Sequence, residues 1–285
     1  MPADSSATAP PPDHGRPLVS WLRLPWDWLA MICGLLYWLV FGGLLTLAGG
    51  PLHRILPPSV GEKTGQSLLH WLFRSFVVYL RVSGLVFVDS RALKDLSSRR
   101  GPAIIAPNHT SLWDVVFLIA RLPRMTCVMK QSIMKNPVLG GGARLAGYIP
   151  NRSDRQVIRA AVTALGRGGN LLMFPEGTRT RREARWINPL RGGCGIIATR
   201  SGAPVIPVFI RSDTRYLEKG WPLLKRPVFP IHIRIDSGEP LVPEEGESSR
   251  EFTARLERVF EEELAKPHPL RRRPCRTRAG EIKSP

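Results

Sequence analysis

An uncharged apolar stretch near the N-terminus limits the folds open to this chain more than any other feature. From Trp28 to Gly50, 23 residues carry no charge, and a helix needs about 20 apolar residues to cross a bilayer. The paired Gly42 and Gly43 would also permit a bend, so that the segment dips into the membrane and returns. A spanning and a re-entrant helix are both open. A cleaved signal peptide is disfavoured because the polar leader, residues 1–17, lacks a short basic start.

The next stretch, Lys63 to Val82, has the periodicity of an amphipathic helix. Its polar residues fall within a stripe of about 80° when successive residues are placed 100° apart. We predict either a helix at the lipid boundary with a basic edge toward head-group phosphates, or a core-packing helix whose arginines reach solvent. Membrane attachment follows from either alternative. The stripe consists of Lys63, Gln66, His70, Arg74 and Arg81.

The net charge of +18 is concentrated in the middle of the chain, where residues 107–200 contain 15 Lys and Arg against 4 Asp and Glu. Such a field attracts nucleic acid, an anionic membrane surface or a phosphate-bearing substrate. Nucleic acid is disfavoured because the basic residues are not interleaved with aromatic ones in a known module pattern. Positive charge dominates after the first apolar segment, which predicts a cytoplasmic downstream domain. Scattered cysteines suggest neither a disulfide framework nor a zinc site, and they fit a reducing compartment: Cys33, Cys127, Cys194 and Cys275.

From about Ser83 onward, short β-branched or apolar runs alternate with helical patterns, which predicts an α/β domain with a mixed central sheet flanked by helices. Helices are expected from Ser111, after Ser153 with a capping box to Gln156, and over Glu251–Leu264. Strands are expected in GLVFVDS, AIIAPN, MTCVMK, AGYIP, NLLMFP, PVIPVFI and PIHIRID. The predicted organisation is a disordered leader (1–17), membrane-associated helices (18–82), the α/β domain (83–265) and a basic disordered tail (266–285).

The stretch NHTSLWD, residues 108–114, joins a predicted strand to a predicted helix. The imidazole of His109 is a natural general base near neutral pH, and Asp114 would fix its tautomer and support the imidazolium. The competing interpretation is structural, since Ser111-x-x-Asp114 is also typical of a helix start. A histidine five residues before an acid is common by chance, so the spacing alone leaves both interpretations open.

A second stretch, LLMFPEGTRTR, ends a hydrophobic strand and opens into a polar loop. Ligands usually bind at the carboxyl ends of strands in α/β sheets. Gly177 lets the backbone approach a ligand, Thr178 supplies a hydroxyl, and Arg179 can grip a phosphate with two parallel donors. Glu176 should stay ionised among these bases and position Arg179 or bind a substrate hydroxyl. The competing interpretation is an ordinary polar turn with solvated arginines.

Together these motifs resemble the lysophosphatidic acid acyltransferases (1-acylglycerol-3-phosphate O-acyltransferases), a family of glycerolipid acyltransferases. The H-x-x-x-x-D motif matches His109 to Asp114, and F-P-E-G-T-R matches residues 174–179. Two weaker family motifs look like YIPNR, ending at Arg152, and APVIPV, residues 203–208. The four motifs follow the family's order, and the resemblance covers about residues 65–240.

The resemblance implies that His109 deprotonates an acceptor hydroxyl, which attacks an acyl-CoA or acyl-carrier-protein thioester directly, while Asp114 orients the imidazole. It implies no cofactor beyond this co-substrate and no metal. Many family members carry a lysine where this chain has Arg191, which can still bind phosphate with a different geometry. The implied substrate-binding residues are Arg152, Glu176, Gly177, Thr178, Arg179 and Arg191.

The expected partners are a lysophospholipid acceptor, acyl-CoA or acyl carrier protein, and an anionic membrane surface, but not nucleic acid. Lysophosphatidic acid is the first candidate acceptor and would yield phosphatidic acid; lyso-ornithine lipid is the alternative, since relatives with the same motifs acylate it. The expected location is a bacterial inner membrane with the catalytic domain cytoplasmic. A lipid serine hydrolase is disfavoured because no G-x-S-x-G elbow occurs. A catalytically silent membrane adaptor or anion-binding protein remains the alternative of another class.

Overall fold

The computed structural model describes residues 19–222 and 224–270. The predicted disordered leader and the part of the basic tail beyond residue 270 lie outside the described residues. The strands are β1 Val86–Asp89, β2 Ile104–Pro107, β3 Met125–Lys130, β4 Ile149–Asn151, β5 Asn170–Leu172, β6 Val205–Ser212 and β7 Ile231–Ser237. The helices are α1 Val19–Tyr37, α2 Gly43–Ile55, α3 Pro58–Val82, α4 Lys94–Ser98, α5 Asp114–Arg121, α6 Gln131–Met134, α7 Gly140–Leu145, α8 Asp154–Gly166, α9 Gly193–Ser201 and α10 Ser249–Ala265.

The seven strands form one sheet in the order β1-β7-β6-β2-β5-β3-β4. Strands β2 to β6 run parallel to one another. Strand β7 is antiparallel to β6, and β1 pairs with β7 in parallel. Each of the seven strands overlaps one predicted run, and β4, β6 and β7 extend one or two residues beyond it. The runs are recognisable because β-branched and aromatic side chains fit the pleated surface of a buried sheet. The predicted α/β class with a mixed central sheet is confirmed.

Helices cover both faces of the sheet and bury two hydrophobic clusters. On one face, α3 and α5 contribute Phe76 and Phe117. On the other face, α10 contributes Phe252 and Phe260 beside α8 and α9. Burying one such side chain stabilises the fold by about 1.5–3 kcal/mol. The two clusters hold the sheet rigid, so that loops at its carboxyl edge have fixed positions.

The long apolar segment is a continuous helix that does not turn back at its glycine pair. Helix α1 passes through a π-helical turn, Trp38–Gly42, into α2, and Gly42 and Gly43 both keep right-handed helical φ and ψ. The re-entrant alternative, which needs a turn at this glycine pair, is therefore not what the structure shows. A side chain on Gly42 would place its Cβ 2.9 Å from the Val138 carbonyl oxygen, so the glycine serves close packing. The chain returns only after α2, where α3 runs back alongside.

The helical run Arg23–Ile55 is long and apolar enough to cross a membrane by length and composition. Only 22% of its most apolar window is buried inside the protein. Large apolar side chains that are more than half exposed occur along it, among them Leu39 at 60% and Leu47 at 74%. Exposed apolar surface of this extent is typical of a lipid or protein contact and not of a solvated face.

The predicted polar stripe of α3 does not face lipid along its whole length, because two of its side chains contact the interior of the protein. Gln66 is buried and donates to Thr126 Oγ1 and the Ala146 carbonyl, while His70 Nδ1 contacts the Ile119 carbonyl. Part of the stripe therefore satisfies polar groups inside the protein. The side chains of α3 that are more than half exposed and apolar are Trp71, Val78 and Val82.

A buried carboxylate joins α1 to the rest of the protein. Asp27 is 1% exposed and pairs with Arg226, in the connection between β6 and β7, and with Arg23 at 3.6 Å. One end of α1 is held further by Trp26 Nε1, which donates to the Ser83 carbonyl at 2.9 Å. The apolar helix is therefore fixed to the α/β domain by polar contacts.

Two helix starts differ from the predictions. Ser153 does precede α8, but its side chain makes no capping hydrogen bond, because sequence spacing does not set the side-chain rotamer. A complete capping box forms instead at α10, where Ser248 and Glu251 bond reciprocally. Helix α5 begins at Asp114 and not at Ser111, for a reason that lies in the candidate site.

Candidate active site

The two strong motifs meet because their strands are neighbours. Strand β2 leads to His109, and β5 leads to the loop at Glu176; the two strands pair in parallel, so their carboxyl ends lie at one edge of the sheet. This is the edge where ligands bind in α/β folds. The backbone joins them directly, since Thr180 N–H donates to the His109 carbonyl at 2.6 Å.

His109 and Asp114 form the expected pair. His109 Nδ1 lies 3.0 Å from Asp114 Oδ2, and the Asp114 side chain is 1% exposed. Because a carboxylate accepts, this contact places the ring proton on Nδ1 and leaves the Nε2 lone pair free to accept a proton. The imidazole stacks on Phe174, with ring centroids 3.9 Å apart. The pair thus has the geometry of a general base and its orienting acid.

The late start of α5 follows from the same carboxylate. Asp114 Oδ2 also accepts the Ser111 N–H at 2.7 Å, and Oδ1 contacts Thr110 Oγ1 at 3.4 Å. The carboxylate thereby holds the turn before the helix, while Ser111 Oγ accepts the Trp113 N–H at 3.3 Å and donates to the Tyr216 carbonyl at 3.1 Å. The structural and chemical interpretations of this motif hold together, since one carboxylate serves both.

Glu176 holds the backbone of the site. It is 2% exposed, and its Oε1 accepts the His109 N–H and the Thr180 hydroxyl, each at 2.8 Å. Oε2 accepts the backbone and side-chain N–H groups of Asn188 at 2.9 and 2.7 Å. Burial raises the pKa of Glu176, although the donors from Asn188 and His109 oppose this rise. Glu176 therefore positions His109 and not Arg179, contrary to one alternative from the sequence.

Arg191 lies over the glycine of the second motif. Gly177 has φ +66°, a conformation that favours glycine, and a Cβ there would lie 2.6 Å from Arg191 Cδ. Arg191 N–H also donates to the Pro175 carbonyl at 2.9 Å. The exposed Arg191 and the half-buried Thr178 are thus brought to the same loop.

Arg179 makes hydrogen bonds to the backbone that the sequence did not predict. Its Nη1 donates to the carbonyls of Leu217 and Glu218 at 2.7 and 3.1 Å. Both carbonyls belong to the connection between β6 and β7, which also accepts the Leu112 N–H at the Leu217 carbonyl, 3.1 Å away. Arg179 therefore clamps this connection over the edge of the sheet with one of its nitrogens.

Arg152 shares the edge but not the immediate surroundings of His109. It is exposed just after β4, and β5 and β3 separate β4 from β2, a spacing of about 14 Å at about 4.8 Å per strand. Lys130, at the end of β3 and opposite Asn151 in the sheet, lies between them. The structure does not bring Arg152 into contact with His109.

Sequence reasoning did not single out Asn188 or Lys130. Asn188 matters only because folding brings it to Glu176, 12 residues away, and nothing in the local sequence WINPL indicates this. Lys130 had a usable signal, since it is a charge at the end of a predicted strand of a parallel sheet.

Comparisons with known proteins agree on one kind of protein. The sequence model of the family described as Acyltransferase matches residues 87–211. The 1-acyl-sn-glycerol-3-phosphate acyltransferase of Pseudomonas aeruginosa is 26% identical over 208 residues, which cover 70% of this chain and 77% of that protein. The lyso-ornithine lipid O-acyltransferase of the same organism is 30% identical over 180 residues, 60% of this chain and 64% of that protein.

A chloroplastic 1-acyl-sn-glycerol-3-phosphate acyltransferase of Brassica napus, BAT2, is 26% identical over 52% of this chain, and this chain spans 45% of its length. The chain thus spans about half the length of its plant relatives. A crystal structure of the 1-acyl-sn-glycerophosphate acyltransferase PlsC from Thermotoga maritima has the same fold, with a TM-score of 0.65 at 21% identity. It covers 87% of this chain and 99% of its own.

Proposed function

Because the chain belongs to the lysophosphatidic acid acyltransferase family of glycerolipid acyltransferases, as its motifs predicted, we propose that it transfers a fatty acyl group to the hydroxyl of a lysophospholipid. The donor would be an acyl-CoA or acyl-carrier-protein thioester, and lysophosphatidic acid is the first candidate acceptor. The observation that carries the proposal is the His109–Asp114 pair, with Nδ1 bonded at 3.0 Å and Nε2 left to accept a proton.

In the proposed reaction, His109 Nε2 takes the proton of the acceptor hydroxyl as its oxygen attacks the thioester carbonyl. The tetrahedral intermediate collapses with cleavage of the carbon–sulfur bond, and the leaving thiolate takes the proton from the imidazolium. Asp114 stabilises the transient positive charge, because its carboxylate is buried beside Nδ1. No acyl-enzyme forms, and protons and electrons balance without a cofactor or metal.

The loop of the second motif would hold the phosphate of the acceptor. Arg191 lies over Gly177, and Arg179 keeps nitrogens beyond the one bonded to Leu217 and Glu218. Guanidinium groups match phosphate with two parallel hydrogen bonds. We assign Gly177, Thr178, Arg179 and Arg191 to the acceptor, and Arg152 to phosphate groups farther along the edge.

Lyso-ornithine lipid is the second candidate acceptor, favoured by the similarity to the Pseudomonas lyso-ornithine lipid O-acyltransferase. It offers a carboxylate where lysophosphatidic acid offers a phosphate, and arginines bind both groups. The same His109 chemistry would serve either hydroxyl, so the acceptor must be distinguished by assay.

Membrane attachment would bring the enzyme to a substrate that resides in the bilayer. The run Arg23–Ile55 and the exposed face of α3 with Trp71 and Val78 supply the apolar surface. Such surfaces lie in the interface with their charged edges toward head groups. We propose that the chain sits on a bacterial inner membrane with the α/β domain on the cytoplasmic side.

The test is to supply detergent-purified protein with acyl-CoA or acyl carrier protein thioester and, separately, lysophosphatidic acid, lyso-ornithine lipid or lysophosphatidylcholine. Thiol release and the acylated product are followed together. We expect release that depends on lysophosphatidic acid and is lost in His109→Ala. If no donor–acceptor pair gives acceptor-dependent thiol release, the result would favour the catalytically silent adaptor and overturn the proposed function.

A further inference from the structure

A basic groove runs along β1, the edge strand of the sheet farthest from β4. It encloses about 590 Å³ between β1, β7, the ends of α3 and α5, and the segment after α10. Strands β7 and β6 separate β1 from β2, which places the groove about 14 Å from the His109 strand. Its basic side chains include Arg81, Arg91, Arg121, Arg234 and His268.

Two of the groove arginines are neutralised locally and two are not. Arg91 donates to Asp89 at 2.8 and 2.9 Å, and Arg234 donates to Asp236 at 2.9 Å. Arg81 and Arg121 have no acidic partner in the part of the chain that the structure describes. The groove therefore has an excess of positive charge.

Arg121 adds a more specific indication. Its Nε is buried and has no hydrogen-bond partner among the described residues. An unsatisfied buried donor is unfavourable, and the Arg121 guanidinium that carries it lines the groove, where an oxyanion would form charge-assisted bonds with it. Burial, and next the charges of Arg211 and Arg234, lower the pKa of His268, as expected in an electropositive groove.

One end of the groove opens beside the exposed apolar surface. Arg81 precedes Val82, which is 81% exposed, and Val78 one turn earlier is 53% exposed. The indole of Trp26, on α1, is anchored to the Ser83 carbonyl just beyond. A basic group at such a boundary is placed at the level of lipid head groups.

We propose that this groove binds the phosphate of an anionic lipid head group, at a site separate from the acceptor site at His109. Arg81 and Arg121 would donate to the phosphate oxygens, and the acyl chains would lie along the apolar surface of α1 and α3. The proposal rests on the proposed membrane attachment but not on the acyltransferase activity. Free phosphate shares the recognised chemistry, so the experiment separates the two sources.

The test compares two charge-matched double variants of the full chain. Arg81→Gln/Arg121→Gln removes two charges from the groove, and Arg155→Gln/Arg159→Gln removes two exposed charges from α8, across the sheet. Binding is measured to vesicles of phosphatidylcholine alone and with phosphatidylglycerol added. At about fivefold per basic residue near an anionic surface, we expect the groove variant to lose at least about tenfold more of the phosphatidylglycerol-dependent affinity than the α8 variant.

Equal losses in the two variants would reduce the effect to general surface charge and overturn the proposal. Binding of inorganic phosphate to the groove in detergent, with no difference between the variants on vesicles, would identify a free-phosphate site and overturn the lipid assignment. The exposed single variant Arg81→Gln, with circular dichroism on all variants, guards against misfolding. Acyl transfer in detergent without anionic lipid should be unchanged in the groove variant, so failure of this proposal is distinguishable from failure of the proposed function.

Discussion

Two histidine–aspartate pairs in the described part of the chain have the same contact, and their settings differ. His109–Asp114 and His232–Asp213 each have an Nδ1–Oδ2 distance of 3.0 Å. The side chains of the first pair are 18% and 1% exposed, and those of the second are 48% and 35% exposed. Both lie at the same edge of the sheet, since Asp213 follows β6 and His232 lies in β7.

The surroundings of each pair explain why we assign the catalytic role to the first pair. Asp114 is buried and accepts from Ser111 as well, while Glu176 and Thr180 fix the backbone of His109. Asp213 accepts only from His232 itself, through Nδ1 and the backbone N–H, among the contacts described. An exposed pair of this kind is weakened by solvent. Hydrogen-bond distance alone therefore does not identify a catalytic dyad.

The largest expected effect comes from removing the two imidazoles. His109→Ala should lower the rate of thiol release by about 10²- to 10⁴-fold, because proton transfer to Nε2 is lost. His232→Ala, which breaks the exposed pair, should keep most of the activity. Initial rates are measured on both variants after circular dichroism has confirmed the fold. Similar losses in the two variants would mean that the setting of the pair is irrelevant.

Neutralising the two carboxylates should separate the pairs by a smaller factor. Asp114→Asn keeps the size of the side chain but cannot stabilise the imidazolium. We expect kcat to fall by about 10- to 100-fold, the range found when a group that orients a metal-binding histidine is replaced. Asp213→Asn should leave kcat unchanged. An unaltered kcat in Asp114→Asn would show that Asp114 only shapes the turn.

Weakening the hydrogen bonds that hold the backbone of His109 should lower the free energy of unfolding more than it lowers kcat. Asn188→Ala removes the side-chain donor to Glu176 Oε2 and keeps the backbone N–H donor of residue 188. The loss of one buried hydrogen-bond donor should lower the free energy of unfolding by about 1–3 kcal/mol. The free energy of unfolding and kcat are both measured. The control is Asn136→Ala, whose side chain caps an exposed turn. Equal destabilisation by the two variants would argue against a special role for Asn188.

The smallest effect concerns pH. Burial raises the pKa of Glu176 above its ordinary value of 4.5, so its contribution to folding is fully present below that value and is lost as pH rises through the raised pKa. Glu176→Gln cannot titrate. The melting temperature of the wild type should therefore fall relative to the variant as pH rises above about 4.5. A difference that is constant with pH would contradict the burial argument.

Much of the fold could be predicted from local patterns, because strand runs and helical periods are set by neighbouring residues. All seven strands and α10 overlap the segments in which the sequence placed them. The start of α5 was predicted three residues early. The Asp114 carboxylate bonds to Thr110 and Ser111 and holds these residues in a turn before the helix begins. The stripe of α3 was misjudged in part, since helical period reveals a polar face but not whether Gln66 meets water or Thr126.

The site shows the same division. The pairing of His109 with Asp114 follows from a short spacing, and it was expected. The roles of Glu176, Asn188 and Arg179 depend on contacts across 9 to 67 residues, and no local pattern encodes them.

The buried Asp27 fixes the rotational orientation of the apolar helix relative to the α/β domain. A carboxylate facing lipid would cost several kcal/mol, so α1 cannot rotate about its axis without breaking the contacts to Arg226 and Arg23. Helix α1 and the α/β domain should therefore move as one rigid body. In a membrane, the insertion depth of α1 would fix the height of His109 above the bilayer. Only acceptor groups that reach this height while diffusing in the plane would meet the imidazole.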